Sequence, residues 1–409
     1  MSSMTMKRSS LPRLLLLLRV AAALGPTRRG ALCGFCGAGA ALAPAPARAT
    51  RPTLAVLPLA PCGGGLAATY RVDGAMFRGV VDTGSPFLLV DGTCGELRNG
   101  RWGCYPRGGL SAARGAQGAL NDESIEGFGG QETLVEWRRG RVELGDRRLV
   151  VEPGVFGAIR SFKGRGGEGG VYLGLVKHRQ PFIRPTFLEQ TDAQSLRFDL
   201  DDARDRTLEI STGGPLIPRG ADAVPMVDLR PLGAPVEPYA AVAARLLVNG
   251  EPVRLRRPVV VVFDTGTTGA TVSDTLLDTD ELPLPGAAIR CVEVVLKTER
   301  GRDVSLVARY RRGAEFPLIV TETSLPWFDK GNAYGRRRRV GLGADDDAPP
   351  HVVFIGLSFL ERTRLTIDLE DRRLLAQVGR NPNGDPPPPK RFKDRSMYAL
   401  ADAAASGAG

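Results

Sequence analysis

Short apolar runs, each bounded by glycine, proline or aspartate, recur along the chain downstream of Leu66. Apolar and polar positions alternate within most of them, and the others are rich in β-branched residues, as expected of β-strands. The clearest runs are MFRGVV, TLVEWRRGRVELG, RLVVEPGVFG, LEISTG, AVAARLLVNG, PVVVVF, VEVVLK, FPLIVT and RLTIDL. This pattern predicts an all-β fold with few helices. One helical candidate is SDTLLDTDEL at 273–282, because it begins with Ser and Asp.

Two further segments lack this periodicity. Residues 335–351 hold a basic block followed by an acidic one, and we expect an exposed loop there. From residue 381 the chain is rich first in proline and then in alanine and glycine, which predicts a disordered tail at 381–409.

The formal net charge is +10, which by itself would suggest nucleic acid or a membrane surface as a partner. The charge is unevenly distributed, since residues 1–49 hold seven cations and no acidic residue. Removing those seven cations leaves +3, so we expect no nucleic-acid binding.

Residues 1–49 have the composition of a targeting leader that is removed. A Ser- and base-rich start precedes an apolar stretch that Arg19 interrupts, so we expect no stable membrane span. The twin arginines 28–29 then precede a mildly apolar stretch that ends in a small-x-small site at 47–49. A transit-like region followed by a twin-arginine signal predicts a plastid protein, with the thylakoid lumen as its destination. The alternative is one secretory signal built on residues 14–18, leading to secretion or the vacuole.

An internal repeat is the most informative pattern in the sequence. VVDTGSPFLLV, which contains Asp82, is echoed by VVFDTGTTGATV at 261–272, which contains Asp264. A second pair of echoes follows, GGVYLGL with Gly174 and VVFIGLSFL with Gly356. Each glycine lies 92 residues after its own aspartate. One DTG triplet arises easily by chance, whereas two with matched downstream strands predict two equivalent lobes.

Two such lobes, packed about a pseudo-twofold axis, would bring Asp82 and Asp264 together. Two carboxylates a few ångströms apart cannot both ionise cheaply, so one holds a proton while the other does not. The ionised carboxylate can polarise a water molecule, and the protonated one can donate to a peptide carbonyl. The pair can therefore activate water for a hydrolysis reaction, with the proton belonging to the pair rather than to either residue.

Residues 67–378 resemble a pepsin-type aspartic protease, the family with two DTG loops in one chain. The resemblance extends to FLERTRLTIDLEDRRLLAQV, YAAVAARLLVNGEPV and SLRFDLDDARDRTLEISTGG, which are similar to the family's closing, pre-DTG and lobe-ending segments. It implies a bilobal pepsin-like acid protease fold, with an N-terminal lobe at 50–222 and a C-terminal lobe at 223–380. It also implies a monomeric endopeptidase without cofactor or metal, which binds a peptide or protein substrate in the cleft between the lobes and favours acidic pH.

The resemblance also assigns the site residues. Asp82 and Asp264 would be the catalytic pair, and Thr83 and Thr265 would hydrogen-bond across the lobes beneath them. Four positions would support the carboxylates, two as backbone N–H donors and two as hydroxyl donors to the outer oxygens: Gly84, Gly266, Ser85 and Thr267.

The chain departs from the family at two positions. The flap hairpin that closes over substrate corresponds to EGFGGQETLVEW, with Phe128 where the family usually has tyrosine. Leu89 stands where the family has a tryptophan that contacts this tyrosine. Both residues would line the substrate pocket, predicting a preference for apolar side chains around the cut. We expect lower activity or altered specificity rather than an inactive protein.

Six cysteines are present, and the CxxC pair at 33–36 lies within the leader. Cys94 and Cys104 close a short loop and predict a disulfide in an oxidising compartment, although all four remaining cysteines could be free thiols. The resemblance adds that such proteases often have a small disulfide loop after the first DTG. The states of Cys62 and Cys291 are left open.

Other chemistries have little support. The only histidines are His178 and His351, and no GxSxG elbow or metal-binding motif accompanies them. The remaining alternative is a catalytically silent member of the same fold that binds peptides or inhibits other proteins. Such relatives typically lose one catalytic aspartate or its glycine, whereas both triplets are intact here.

Overall fold

A computed structural model describes residues 54–94, 102–106, 119–128, 131–163, 171–178, 184–277, 289–323 and 350–379 of the 409-residue chain. Strands dominate these ranges, and the expected all-β fold class is confirmed. The predicted leader at 1–49, the predicted tail at 381–409 and the predicted loop up to residue 349 lie outside the described residues.

Nine of the described strands precede residue 180. They are β1 Leu54–Pro58, β2 Ala60–Cys62, β3 Gly65–Val72, β4 Ala75–Asp82, β5 Leu89–Asp91, β6 Ala119–Phe128, β7 Gln131–Leu144, β8 Leu149–Lys163 and β9 Tyr172–Gly174. The first three of the quoted apolar runs fall largely within β4, β7 and β8.

Thirteen strands follow: β10 Ser195–Asp199, β11 Thr207–Ser211, β12 Val224–Pro225, β13 Ala240–Val248, β14 Glu251–Pro252, β15 Val259–Phe263, β16 Ala270–Ser273, β17 Cys291–Lys297, β18 Asp303–Arg309, β19 Val320–Thr323, β20 His351–Ile355, β21 Thr363–Asp368 and β22 Arg373–Val378. Two short α-helices, α1 Asp274–Leu277 and α2 Leu357–Leu360, and two 3₁₀ turns, Leu188–Gln190 and Arg230–Leu232, are the helical elements in these parts of the chain. The predicted helix at 273–282 is therefore seen as α1, and its second half is not described.

The described strands form three sheets. One eight-stranded sheet has the order β5-β8-β7-β3-β4-β9, with β2 paired to β3 and β6 paired to β7. The other has the order β18-β17-β13-β15-β20-β16-β19, with β14 paired to β13. A six-stranded sheet, β1-β11-β10-β21-β22-β12, combines strands from both sides of the predicted lobe boundary at 222/223.

Each DTG triplet follows a strand that lies parallel to a later strand in its sheet. β4 pairs in parallel with β9, which sets Asp82 opposite Gly174. β15 pairs in parallel with β20, which sets Phe263 opposite Ile355. All five residues of β15 are buried, so this strand is held in the core on both faces. The matched spacings in the sequence thus correspond to matched strand pairs.

His351 differs from the sequence expectation. We predicted an exposed loop through residue 351, but His351 is fully buried as the first residue of β20, where it pairs with Val259. The strand register places it in the core, so the end of the loop prediction is wrong.

Across the described ranges, no helix combines the length and apolar character that crossing a lipid bilayer would need.

Candidate active site

The first DTG turn begins at the end of β4, and its own backbone and side chains bind the Asp82 carboxylate. The Gly84 N–H donates to Oδ1 at 2.7 Å, and the Ser85 hydroxyl donates to Oδ2 at 2.5 Å. Asp82 is 6% exposed. A carboxylate at this depth needs such donors, because an unpaired buried charge is costly.

The second DTG turn repeats this arrangement after β15. The Gly266 N–H donates to Asp264 Oδ1 at 2.9 Å, and the Thr267 hydroxyl donates to Oδ2 at 2.8 Å. Asp264 is partly exposed, in contrast to Asp82. The supporting roles assigned to Gly84, Ser85, Gly266 and Thr267 from the sequence thus coincide with hydrogen bonds in the structure.

Thr83 and Thr265 join the two turns by reciprocal hydrogen bonds. The Thr83 N–H donates to Thr265 Oγ1 at 3.1 Å, and the Thr265 N–H donates to Thr83 Oγ1 at 2.9 Å. Each hydroxyl then donates to a carbonyl at the end of the opposite strand, Thr83 to Phe263 and Thr265 to Val81, both at 2.8 Å. Both threonines are buried, so these bonds are shielded from water.

The glycines of the two triplets lie against the aspartate of the opposite turn. A methyl group at Gly84 would be 2.8 Å from Asp264 Oδ1, and one at Gly266 would be 2.5 Å from Asp82 Cγ. Any side chain at either position would therefore separate the turns. The two carboxyl groups are adjacent because both positions are glycine.

The electrostatics of the pair follow from this adjacency. Burial, and to a smaller extent the neighbouring Asp264 carboxylate, raise the pKa of Asp82 to about 8, although the Ser85 and Gly84 bonds oppose the shift. Burial also raises the pKa of Tyr172, and the charges of Asp82 and Asp264 add to that effect. The arrangement can hold one proton between two carboxyl groups well above the pH at which a free aspartate loses it.

Gly174 and Gly356, the glycines of the matched strands, close the two turns in the same way. The Gly174 N–H donates to the Phe87 carbonyl at 3.0 Å, and the Gly356 N–H donates to the Gly269 carbonyl at 2.8 Å. A methyl group at Gly356 would lie 2.0 Å from the Thr267 carbonyl oxygen. Both glycines are therefore required by the close approach of backbone.

The hairpin of β6 and β7 lies where the sequence predicts the flap. Its strands pair antiparallel, and Phe128 lies opposite Gln131 at the tip. The Phe128 side chain, which we expected in the substrate pocket, is outside the described residues.

Leu89 was expected to line the same pocket, but its side chain is fully buried and presents no surface to a substrate. It belongs to a hydrophobic cluster with Phe87, Val135 and Trp137. Gly157 on β8 lies against both side chains: a methyl group there would be 2.5 Å from Leu89 Cδ2 and 3.5 Å from Trp137 Cζ3. The Trp137 side chain, on β7, therefore lies near Leu89. Leu89 therefore packs in the same cluster as Trp137 of the hairpin.

Sequence reasoning overlooked three residues near this site. Trp137 packs edge-on against Phe87, with ring centroids 4.9 Å apart, and Arg184 lies over the Trp137 ring at 4.4 Å. Tyr172 pairs with Val80 two residues before the aspartate. Trp137 and Tyr172 were contained in the quoted segments EGFGGQETLVEW and GGVYLGL, and the parallel partner strand was the signal that could have identified Tyr172.

The predicted disulfide is confirmed, because Cys94 and Cys104 are bonded with their Cα atoms 4.7 Å apart. Cys62 and Cys291 are free thiols. Within the described residues, no group of His, Cys, Asp and Glu side chains has the arrangement of a metal site.

Comparison of the chain with protein-family models and with curated proteins finds no match in either set.

Proposed function

We propose that this protein is an aspartic endopeptidase that hydrolyses peptide bonds through Asp82 and Asp264, on a bilobal pepsin-like architecture. One observation carries the proposal: the two carboxyl groups meet at a centre fixed by reciprocal Thr83 and Thr265 hydrogen bonds. Two eight-stranded sheets that each supply one aspartate support the two-lobe arrangement. The disulfide suits an oxidising compartment, in keeping with the proposed export by the leader.

The chemistry uses a water molecule held between the carboxyl groups. The ionised carboxylate takes a proton from the water, and the water oxygen attacks the peptide carbonyl carbon. At the same time, the protonated carboxyl group donates its proton to the carbonyl oxygen. The resulting diol collapses as the C–N bond breaks: the carboxyl group that took a proton from water gives it to the leaving amine, and a diol hydroxyl returns its proton to the other carboxylate. Burial of Asp82 favours its protonated form, and the single proton is shared by the coupled pair.

The pH range follows from the pKa of the pair. The active form carries one proton, which is lost as pH rises through the raised pKa of Asp82, about 8. Activity is therefore expected to extend from acidic pH to near neutrality and to decline above it.

The substrate is an extended peptide that adds as a strand beneath the β6–β7 hairpin. Tyr172, partly buried against the cluster of Phe87 and Trp137, gives the aspartate pair an aromatic neighbour. This neighbourhood favours apolar side chains flanking the cut.

The test incubates the full chain with a denatured protein and with a library of apolar peptides from pH 3 to pH 9. Asp82→Asn and Asp264→Asn should each reduce cleavage by at least about 10³-fold, because each removes a group that acts on the reacting atoms. Asp368→Asn is the matched control, since Asp368 is a buried carboxylate, 1% exposed, in the six-stranded sheet.

Cleavage that survives Asp82→Asn would exclude the proposed mechanism. If the intact protein cleaves nothing at any pH yet binds the peptides, the silent-binder alternative replaces the proposal.

A further inference from the structure

Strand β6 forms the outer half of the hairpin and is weakly attached to the rest of its sheet. Among the described strands it pairs with β7 and with no other. Ile125, in the middle of β6, is 62% exposed. The backbone of β6 is thus held from one side, through β7, which itself pairs with β8 from Glu132 to Leu144; side-chain contacts add to this backbone pairing.

The first such contact comes from Trp137 on β7. Its indole N–H donates to the Ser124 hydroxyl at 2.7 Å, and Ser124 in turn donates to Glu126 Oε1 at 2.5 Å. The same ring packs edge-on against Phe87, which lies on the segment leading away from Asp82. Trp137 therefore connects the hairpin to the first aspartate turn.

The second contact comes from Arg184, which lies outside the hairpin. Its guanidinium carbon is 4.4 Å from the centroid of the Trp137 ring, within the range of a cation–π interaction. Its Nη2 atom also forms an ion pair with Asp122 on β6. One side chain thus contacts both strands of the hairpin.

The backbone on both sides of Arg184 is attached to the first aspartate turn. The Val176 N–H donates to the Ser85 carbonyl at 3.1 Å, and the Phe187 N–H donates to the Pro86 carbonyl at 2.9 Å. Ser85 is the residue whose hydroxyl binds Asp82. Arg184 therefore lies three residues before a backbone hydrogen bond to the aspartate turn itself, from Phe187 to Pro86.

We propose that Arg184 is a positioning residue that fixes the β6–β7 hairpin over the first aspartate turn, so that the hairpin is already placed when a peptide binds. This inference rests on the proposed function, and it adds a determinant of substrate binding. Without Arg184, the placed hairpin is populated for a smaller fraction of the time. The apparent affinity for peptide falls in proportion to that fraction, while the bound complex reacts at the same rate as before.

The test compares Arg184→Gln with the wild-type full chain by two measurements, hydrogen exchange at residues 119–137 and the kinetics of peptide cleavage. Exchange in the hairpin should accelerate at least about fivefold, with β21 and β22 unchanged. KM should rise about 3- to 10-fold, with kcat within about twofold of wild type.

Two variants separate the contacts of Arg184. Arg184→Lys keeps the charge near Asp122 but loses the planar stacking on Trp137, and should fall between wild type and Arg184→Gln. Asp122→Asn removes the ion pair alone; its smaller effect should vanish at about 1 M salt, where exposed ion pairs are screened.

The matched control is Arg197→Gln. Arg197 has similar exposure, 26% against 21% for Arg184, and pairs with Glu209 in the six-stranded sheet. It should change neither measurement.

Unchanged exchange in the hairpin of Arg184→Gln would overturn the proposal. A loss of kcat at constant KM would overturn it as well, because it would place the effect on the chemical step. If the wild-type protein cleaves no peptide, the proposed function fails, and hydrogen exchange alone decides whether Arg184 fixes the hairpin.

Discussion

At the first aspartate turn, Phe87 follows Asp82 and packs against Trp137, whereas the equivalent position of the second turn is Gly269. A methyl group at Gly269 would lie 2.1 Å from the Ile319 carbonyl oxygen, so backbone covers the second turn where aromatic side chains cover the first. Asp82 is buried, while Asp264 is partly exposed. Two turns with the same hydrogen bonds thus give their carboxylates different environments.

The repeated triplets thus fix the geometry of the pair, whereas the surroundings of Asp82 raise its pKa. An identical pair in identical surroundings would hold its proton symmetrically. Burial of one member provides a physical reason for unequal protonation before any substrate binds.

The first prediction tests whether the two turns are equivalent at the threonine hydrogen bonds that join them. Thr83→Val and Thr265→Val each remove one hydroxyl and leave a buried N–H and a buried C=O without their partner. At about 1–3 kcal/mol for each unsatisfied group, either variant should lose about 2–6 kcal/mol of unfolding free energy, measured by urea titration.

Thr133→Val is the control for these variants, since Thr133 Oγ1 is buried and has no hydrogen-bond partner within the described part of the chain. It should be neutral or slightly stabilising. A cost confined to Thr83 or to Thr265 alone would show that the junction is asymmetric.

The second prediction concerns the buried carboxylate. The folded-state pKa of Asp82 is raised, so the native protein binds more protons than the unfolded chain between pH 3.8 and about 8. Its stability contribution is fully present below that window and is lost as pH rises through it. Relative to wild type, Asp82→Asn should therefore gain a few kcal/mol between pH 4 and pH 8, at about 1.4 kcal/mol per pKa unit.

Asp264→Asn distinguishes the two causes of this shift. It removes the neighbouring charge and leaves the burial of Asp82 in place, so most of the pH dependence should remain. Unfolding titrations at several pH values would contradict this account if the dependence disappeared completely in Asp264→Asn.

The third prediction tests a structural support found beside the first turn. The Cys94–Cys104 disulfide closes a loop with a sequence separation of 10, and replacing both cysteines by serine should cost about 2–3 kcal/mol. Denaturation with and without a reductant measures this cost. Cys62→Ser, at a free thiol, should unfold at the wild-type denaturant concentration.

The smallest expected effect concerns Ser85, whose hydrogen bond favours the charged form of Asp82 and opposes the rise of its pKa. Ser85→Ala should raise that pKa further and move the alkaline limb of the pH–rate profile up by about 1 pH unit. Thr267→Val leaves this bond intact and is the matched variant at the second turn. A limb that moved down in Ser85→Ala would contradict the assignment.

Local patterns predicted many of the strands, although within FPLIVT the strand β19 begins only at Val320, and the internal repeat predicted that Asp82 and Asp264 form a pair. The β-branched run of β15 is buried on both faces, and the equal spacing from each aspartate to its glycine corresponds to two parallel strand pairs. The sequence did not predict β1, because its outward positions are also apolar and no alternation of apolar and polar residues is visible. Leu54 is 37% and Val56 41% exposed.

Other features depend on contacts between distant segments. The six-stranded sheet pairs β10 with β21, which no local pattern specifies. The interaction of Arg184 with Trp137 depends on a loop attached to the first aspartate turn, and an arginine next to a proline carries no periodic signal.

The reciprocal threonine bonds join residues 182 positions apart, and this separation has a consequence for biosynthesis. Contacts between such distant positions form late, because the entropy of closing the long intervening segment must be offset by other structure first. A nascent chain that has emerged only through its first triplet has one carboxylate and no partner for it. On the proposed function, the hydrolytic centre would be complete only once both triplets have been synthesised and joined, so a partly made molecule would lack hydrolytic activity.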